Sequence, residues 1–175
     1  EPSDEYVVFG AHYDTERGSP GAIDNATGIS ACLVLAKWLN ELPSRKVNFI
    51  VVFFDQEEDD EIGSRAFAKW LKSKGWVIKT VHNVDTIGWD SDGDRLISIQ
   101  SPTPELESAY KKEASLLNIP DSVASGASSD NKSFMDLGFS VVGVSEAFDD
   151  TTPHIHKSTD KFDTVDFTYL VTVTQ

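Results

Sequence analysis

The chain has 175 residues, 39% of them hydrophobic: enough for one domain, residues 1–175, around a single sizeable core, and too rich in apolar runs for a disordered or fibrous protein. Its 29 acidic against 15 basic residues leave a net charge of −14, which argues against nucleic acid and anionic membrane as partners, because both would repel such a surface, and which suits cations. Scattered acids solvate a surface; only clustered ones call for a functional reading. Cys32 is the only cysteine, so no internal disulfide can form, and its apolar helical surroundings predict a buried structural thiol. No run of about 18 apolar residues occurs, and the opening Glu1-Pro2-Ser3-Asp4 does not read as a signal peptide. Neither a transmembrane helix nor an attached signal is expected, although a signal already removed stays open.

In chain order, residues 6–9 form a short β run that leads into Gly10-Ala11-His12-Tyr13-Asp14, and Gly18-Ser19-Pro20-Gly21 marks a loop. Asp24-Asn25-Ala26-Thr27-Gly28 precedes a predicted helix over 29–42, where Cys32, Leu35, Ala36 and Leu39 recur at helical spacing and Pro43 closes the element. The nearly continuous apolar run 47–54 predicts a central strand buried on both faces, and it empties into Asp55-Gln56-Glu57-Glu58-Asp59-Asp60-Glu61. Residues 63–74 read as a helix with Ala66, Phe67, Trp70 and Leu71 on one face and Gly75 as its stop. A strand over 77–84 then ends at Asp85.

A turn through Asp90-Ser91-Asp92-Gly93-Asp94 leads to a strand over 96–99, a helix over 104–117 and a Gly/Ser loop over 125–131. A helical turn around 134–137, a strand over 141–144, a polar loop to Thr164 and an apolar stretch over 167–173 complete the chain. Strands alternating with helices predict a three-layer α/β/α fold with a mostly parallel, mixed central sheet. In such sheets ligands bind beyond the carboxyl ends of the strands, where this reading puts His12, Glu57, Glu58 and Asp85.

Each candidate has an ordinary explanation as well. His12-Tyr13-Asp14 is commonly a satisfied pair; in an extended segment both outer side chains share a side, so that Asp14 would accept the second ring N–H of His12. Glu57 and Glu58 follow a strand, where neighbouring side chains diverge, so one acid can bind a metal while the other acts as general base. Asp24 reads equally as a helix N-cap or as a carboxylate bridging two cations about 3.5–4 Å apart. Asp85 is either a turn former or a ligand. His154 and His156 alternate onto one side of their segment, and spacing does not choose between them.

Taken together, the segments resemble the M28 zinc aminopeptidases, typified by the bacterial leucyl aminopeptidases. Gly10-Ala11-His12-Tyr13-Asp14, Pro20-Gly21-Ala22-Ile23-Asp24-Asn25-Ala26-Thr27-Gly28, Glu57-Glu58 with Gly63-Ser64, Val84-Asp85, and His156 with Asp160 occur in the family's order across residues 7–164. The resemblance implies a zinc-exopeptidase-like fold and two Zn²⁺ ions bridged by Asp24, with His12 and Asp85 completing one site and Glu58 and His156 the other. It also implies Glu57 as general base, Asp14 and Asp160 as supporting acids near the metal-binding histidines, and a cis peptide between Asp24 and Asn25. The implied activity is removal of the N-terminal residue from peptides with a free N-terminus. By rough alignment Val144, Phe148 and Ile155, with Thr86, would line the pocket for an apolar first side chain, and secretion is a further implication. Oligomeric state is left open.

The chain departs from the family's pattern in three ways. The usual strands and helix before the first strand and the terminal helix after the last motif read as missing. Ser129-Asp130-Asn131 stands where relatives commonly have Ser-Asp-His, and a tyrosine of the leucyl enzymes reads as replaced near Gly126. The rival readings are a glutaminyl-cyclase-like acyltransferase with one zinc, which would not need His12, and a noncatalytic peptidase-like binding domain. No His-Glu-x-x-His helix, Gly-rich phosphate loop or Gly-x-Ser-x-Gly elbow is present.

Overall fold

A computed structural model describes residues 3–126 and 129–175. Six strands form one sheet: β1 (Glu5–His12), β2 (Asn48–Phe54), β3 (Val77–Val84), β4 (Ile97–Gln100), β5 (Asp121–Ala124) and β6 (Val141–Glu146). Their order is β2-β1-β3-β6-β4-β5. All neighbouring pairs are parallel except β4 with β6. Helices α1 (Thr27–Glu41), α3 (Pro104–Leu117) and α5 (Phe167–Thr174) supply core residues on one face of the sheet, α2 (Ile62–Lys74) and α4 (Asn131–Met135) on the other.

Alternation along the strands sorts the two cores. Val8, Phe54, Val81 and Val141 meet Ala68, Leu71 and Phe134 under α2 and α4. On the opposite face Val144 and Ile87 meet Ala31, Tyr110 and Leu170 from α1, α3 and α5. Cys32 is buried there as a free thiol, and burial pushes it up to about 12. Among the described residues no helix is long and apolar enough to cross a membrane.

The layered fold matches the sequence pattern, but several elements differ from expectation. The apolar run of β2 lies at the sheet's edge, not its centre. The run reports cover on both faces, with Ile50 and Val52 packed on the α2 side and Phe49 stacked on Phe9, and is blind to which edge is open. Strand β5 was hidden because only four residues separate Pro120 from Ser125. Of the expected 125–131 loop, residues 127 and 128 lie outside the described residues; its last residue already starts α4.

The terminal helix expected to be missing is present as α5. Its β-branched residues, Thr168, Val171, Thr172, Val173 and Thr174, disguise it. Asp166 nevertheless caps it by accepting the N–H groups of Thr168 at 2.8 Å and Tyr169 at 2.9 Å, and buried Tyr169 ties it to the sheet by donating to the Leu96 carbonyl at 2.8 Å.

Candidate metal centre

The carboxyl ends of β1, β2, β3 and β6 share one edge because these strands are mutually parallel. His12, the last residue of β1, is fully buried there. Its Nε2 lies 3.1 Å from Asp24 Oδ1 and 3.3 Å from Asp85 Oδ1, Asp85 being the residue that follows β3. The other oxygen of Asp24, Oδ2, lies 3.3 Å from Nε2 of His156, which is itself 2.9 Å from Glu58 Oε2. Asp24 therefore belongs to two donor groups, His12–Asp24–Asp85 and Asp24–Glu58–His156, each with its ligand atoms within 4.8 Å of one another. Glu57 and Glu58 also come within that distance of His12.

Local structure explains how these side chains converge. Asp24 and Asn25 depart from helical φ/ψ, and the peptide between them is cis. The Asn25 side chain donates to the Val84 carbonyl at 2.9 Å and accepts from the Gly28 and Thr86 N–H groups at 3.0 and 3.3 Å, fastening this turn to the end of β3. Asp160 is buried and accepts the N–H groups of Ile23 and Asp24. It supports the Asp24 turn, where a place beside a metal-binding histidine was expected.

Asp14 also differs from expectation. His12 Nδ1 is 3.1 Å from the Asp14 carbonyl but 3.5 Å from its carboxylate. That carboxylate instead accepts the N–H groups of Glu57 at 3.1 Å and Glu58 at 3.2 Å, so it positions the loop after β2. The choice between the two late histidines is settled by a turn, not by alternation: His156 has a φ of 58° and faces Asp24 and Glu58, whereas His154 pairs with Thr159 Oγ1 at 3.0 Å and meets Trp89 edge-on.

Gathered carboxylates repel one another and lose hydration, and both effects favour their protonated forms. Burial, reinforced by Asp85, pushes Glu57 up to about 9. Burial and the neighbouring acids also raise Asp24 and Glu58. Burial opposes a charge on His12, but its contacts with Asp24 and Asp85 outweigh it and push the imidazole up to about 12. Imidazole nitrogen plus carboxylate oxygen is a donor set suited to zinc, and the residues present fit that metal.

The acidic cleft, of about 390 Å³, is also lined by Thr86, Phe148 and Ile155. Val144 does not line it. Alternation turns that side chain to the other face of β6, where it packs against Ala31 and Ile87 beside a separate apolar cavity, so the alignment-based placement is corrected. In its stead the cleft has Gln100, Ser145 and Glu146, which sequence reasoning missed. Ser145 and Glu146 end β6, where strand ends do signal a site. Gln100 gives no such signal, because β4 runs against β6 and only its long side chain reaches over. Asn131 is buried at the start of α4, and Gly126 is exposed with a φ of 98°.

Imidazoles and carboxylates gathered at the carboxyl edge of an α/β sheet have the donor chemistry and the location of a zinc-enzyme site. The chain matches the model of peptidase family M28 over residues 1–175, and it belongs to that family. A probable leucine aminopeptidase of Arthroderma otae is 32% identical over 97% of the chain and 50% of its own length. The fold is shared with BSAP, a zinc aminopeptidase from Bacillus subtilis (TM-score 0.83, 23% identity, 97% of this chain and 43% of that one). It is shared as well with a Porphyromonas gingivalis glutaminyl cyclase (TM-score 0.82, 19% identity, 98% and 70%). The chain spans about half the length of the leucine aminopeptidases it matches.

Proposed function

We propose that this chain forms the catalytic region of a zinc-dependent aminopeptidase that removes the first residue of peptides with a free N-terminus. The observation that carries the proposal is the position of Asp24 between His12 and His156, its two oxygens facing different imidazoles. His12, Asp24 and Asp85 would hold one ion, and Asp24, Glu58 and His156 the other. Zinc so held supplies Lewis acidity, acidifying a water and polarising the scissile carbonyl.

The chain's own residues then divide the work. Glu57, half-buried and held by its backbone N–H on Asp14, accepts the proton of the attacking water and returns it to the leaving amine. The carboxylates around it receive the substrate's ammonium group and restrict cleavage to the first residue. Phe148 and Ile155 exclude water from one side of the cleft.

Fold alone does not separate this reading from the cyclase. One zinc would need only Asp24, Glu58 and His156; the second group, with buried His12 and half-buried Asp85, favours two ions. The test is zinc content per chain by mass spectrometry after loading and dialysis, for wild type, His12→Ala and Glu58→Ala, with aminoacyl anilide turnover of wild type and Glu57→Gln. Two zincs, fewer in each ligand variant, and a Glu57→Gln protein that keeps zinc but not turnover are expected. One zinc indifferent to His12 would favour the cyclase, and none a binding domain.

A further inference from the structure

The cleft beside the candidate metal centre has a polar end with an asymmetry in its hydrogen bonding. Thr86 donates its hydroxyl proton to the Asp85 carbonyl at 2.8 Å, Ser145 donates to the Glu146 carbonyl at 3.0 Å, and Thr151 donates to the Phe148 carbonyl at 3.1 Å. Gln100 donates through Nε2 to Ser145 Oγ at 2.6 Å. Each of these hydroxyl protons is directed at the chain's own backbone, so that apart from the second N–H of Gln100 what remains toward the cleft is acceptor capacity.

Glu146 strengthens that bias. It is buried, its backbone N–H donates to the Thr86 carbonyl at 2.8 Å, and its Oε1 accepts the Thr152 N–H at 2.7 Å. Its Oε2 has no hydrogen-bond partner among the described residues. Burial pushes the group up to about 8, so a cationic head brought beside it would restore its charge and its acceptor role. Among the described residues no lysine or arginine lines the cleft, so an acidic side chain would meet only repulsion there. Exposed Phe148 and half-buried Ile155 offer apolar wall.

A wall that takes an aliphatic stem and an end in which acceptors outnumber donors match one kind of side chain best. Lysine and arginine carry apolar stems and heads that donate but never accept. The geometry points to peptides with an N-terminal lysine or arginine as the substrate class, recognised by Gln100, Ser145 and Glu146. This rests on the aminopeptidase reading and replaces the apolar preference that Val144 would have conferred.

The test compares kcat/KM of the zinc-loaded chain on lysyl, arginyl, leucyl and norleucyl anilides. Binding of lysine amide and leucine amide to Glu57→Gln is measured by calorimetry alongside. Lysyl and arginyl substrates are expected to lead by at least about tenfold, as a buried site built for donors rejects isosteres that lack them, and lysine amide to bind tighter by a similar factor. Gln100→Met and Glu146→Gln should each lower the lysyl-to-norleucyl ratio, a readout that a general loss of activity does not move. Leucyl or norleucyl substrates cleaved as well as lysyl, or ratios unchanged in both variants, would overturn the inference and leave the aminopeptidase reading standing. A zinc-loaded chain that cleaves none of them would overturn both.

Discussion

Asp160 holds Asp24 by its backbone: the two Asp160 oxygens accept the N–H groups of Ile23 at 2.7 Å and Asp24 at 3.1 Å, across 136 residues of sequence in the second case. The carboxylate that both histidines approach is thereby set by an acid that touches neither. Asp160→Ala removes both acceptors and leaves two buried donors unpaired, so Asp24 loses its aim before any ligand is lost. Zinc affinity is expected to fall about 10–100-fold, and Asp160→Asn, which keeps one acceptor, to fall less. Competition with a chromophoric chelator measures both. Equal affinity in wild type and Asp160→Ala would show that Asp24 is held by the remaining turn.

Asp14 does for Glu57 and Glu58 what Asp160 does for Asp24. Its carboxylate receives both N–H groups, and Glu58 is further tied when its Oε1 accepts the Glu16 N–H at 3.0 Å. Loosening the loop displaces the proposed base more than the ligand, which keeps that second tie. Asp14→Ala should therefore lower kcat by roughly 10–100-fold with a smaller change in zinc content. A variant that loses zinc in proportion to activity would argue that Asp14 acts through His12 instead.

Much of this was legible in sequence because its causes are local. A strand that empties into polar residues announces an edge, and His12, Glu57, Glu58 and Asp85 were each read that way. Partners of Asp14 and Asp160 were not, because a carboxylate's choice among backbone N–H groups depends on contacts brought together only by folding. His156 needed a left-handed turn that Thr159 and Trp89 help to define. Val144 failed by alternation: one position along β6 exchanges the cleft for the core. The order of strands likewise lies outside local pattern, which is why β2 read as central.

Gly28 lies where α1 leaves the Asp24 turn. A Cβ there would stand 2.6 Å from the Val84 carbonyl oxygen and collide with the Asn25 side chain that fastens the turn. Neither is a flexible end. Gly28→Ala, which would favour the helix by propensity alone, is expected to destabilise by about 1–3 kcal/mol and to weaken zinc binding through displaced Asn25. Urea midpoints with and without zinc check this. A variant as stable as wild type would mean that α1 can shift away from β3 at no cost.

His82 offers a stability test away from the proposed metal ligands. It is half-buried on β3, with Nδ1 2.9 Å from the Tyr110 hydroxyl and Nε2 2.9 Å from Thr80 Oγ1, stacked against Phe9. Burial lowers it from 6.5 to about 4. A folded value below the unfolded one means that, as pH falls from about 6.5 toward 4, the unfolded chain takes up this proton first. The neutral ring therefore costs nothing above that window, and stability is lost progressively through it, by roughly 3 kcal/mol at its acid end. Glu146 works in the opposite sense, its raised value weakening the fold as pH rises toward 8, so the comparison must isolate His82. In urea titrations between pH 7.5 and 4.5, His82→Gln, which keeps hydrogen-bonding capacity but cannot titrate there, should lose less stability on acidification than wild type. Parallel acid limbs would show that the folded protein accepts the proton on His82 without strain, and that the hydroxyls of Thr80 and Tyr110 turn to receive it.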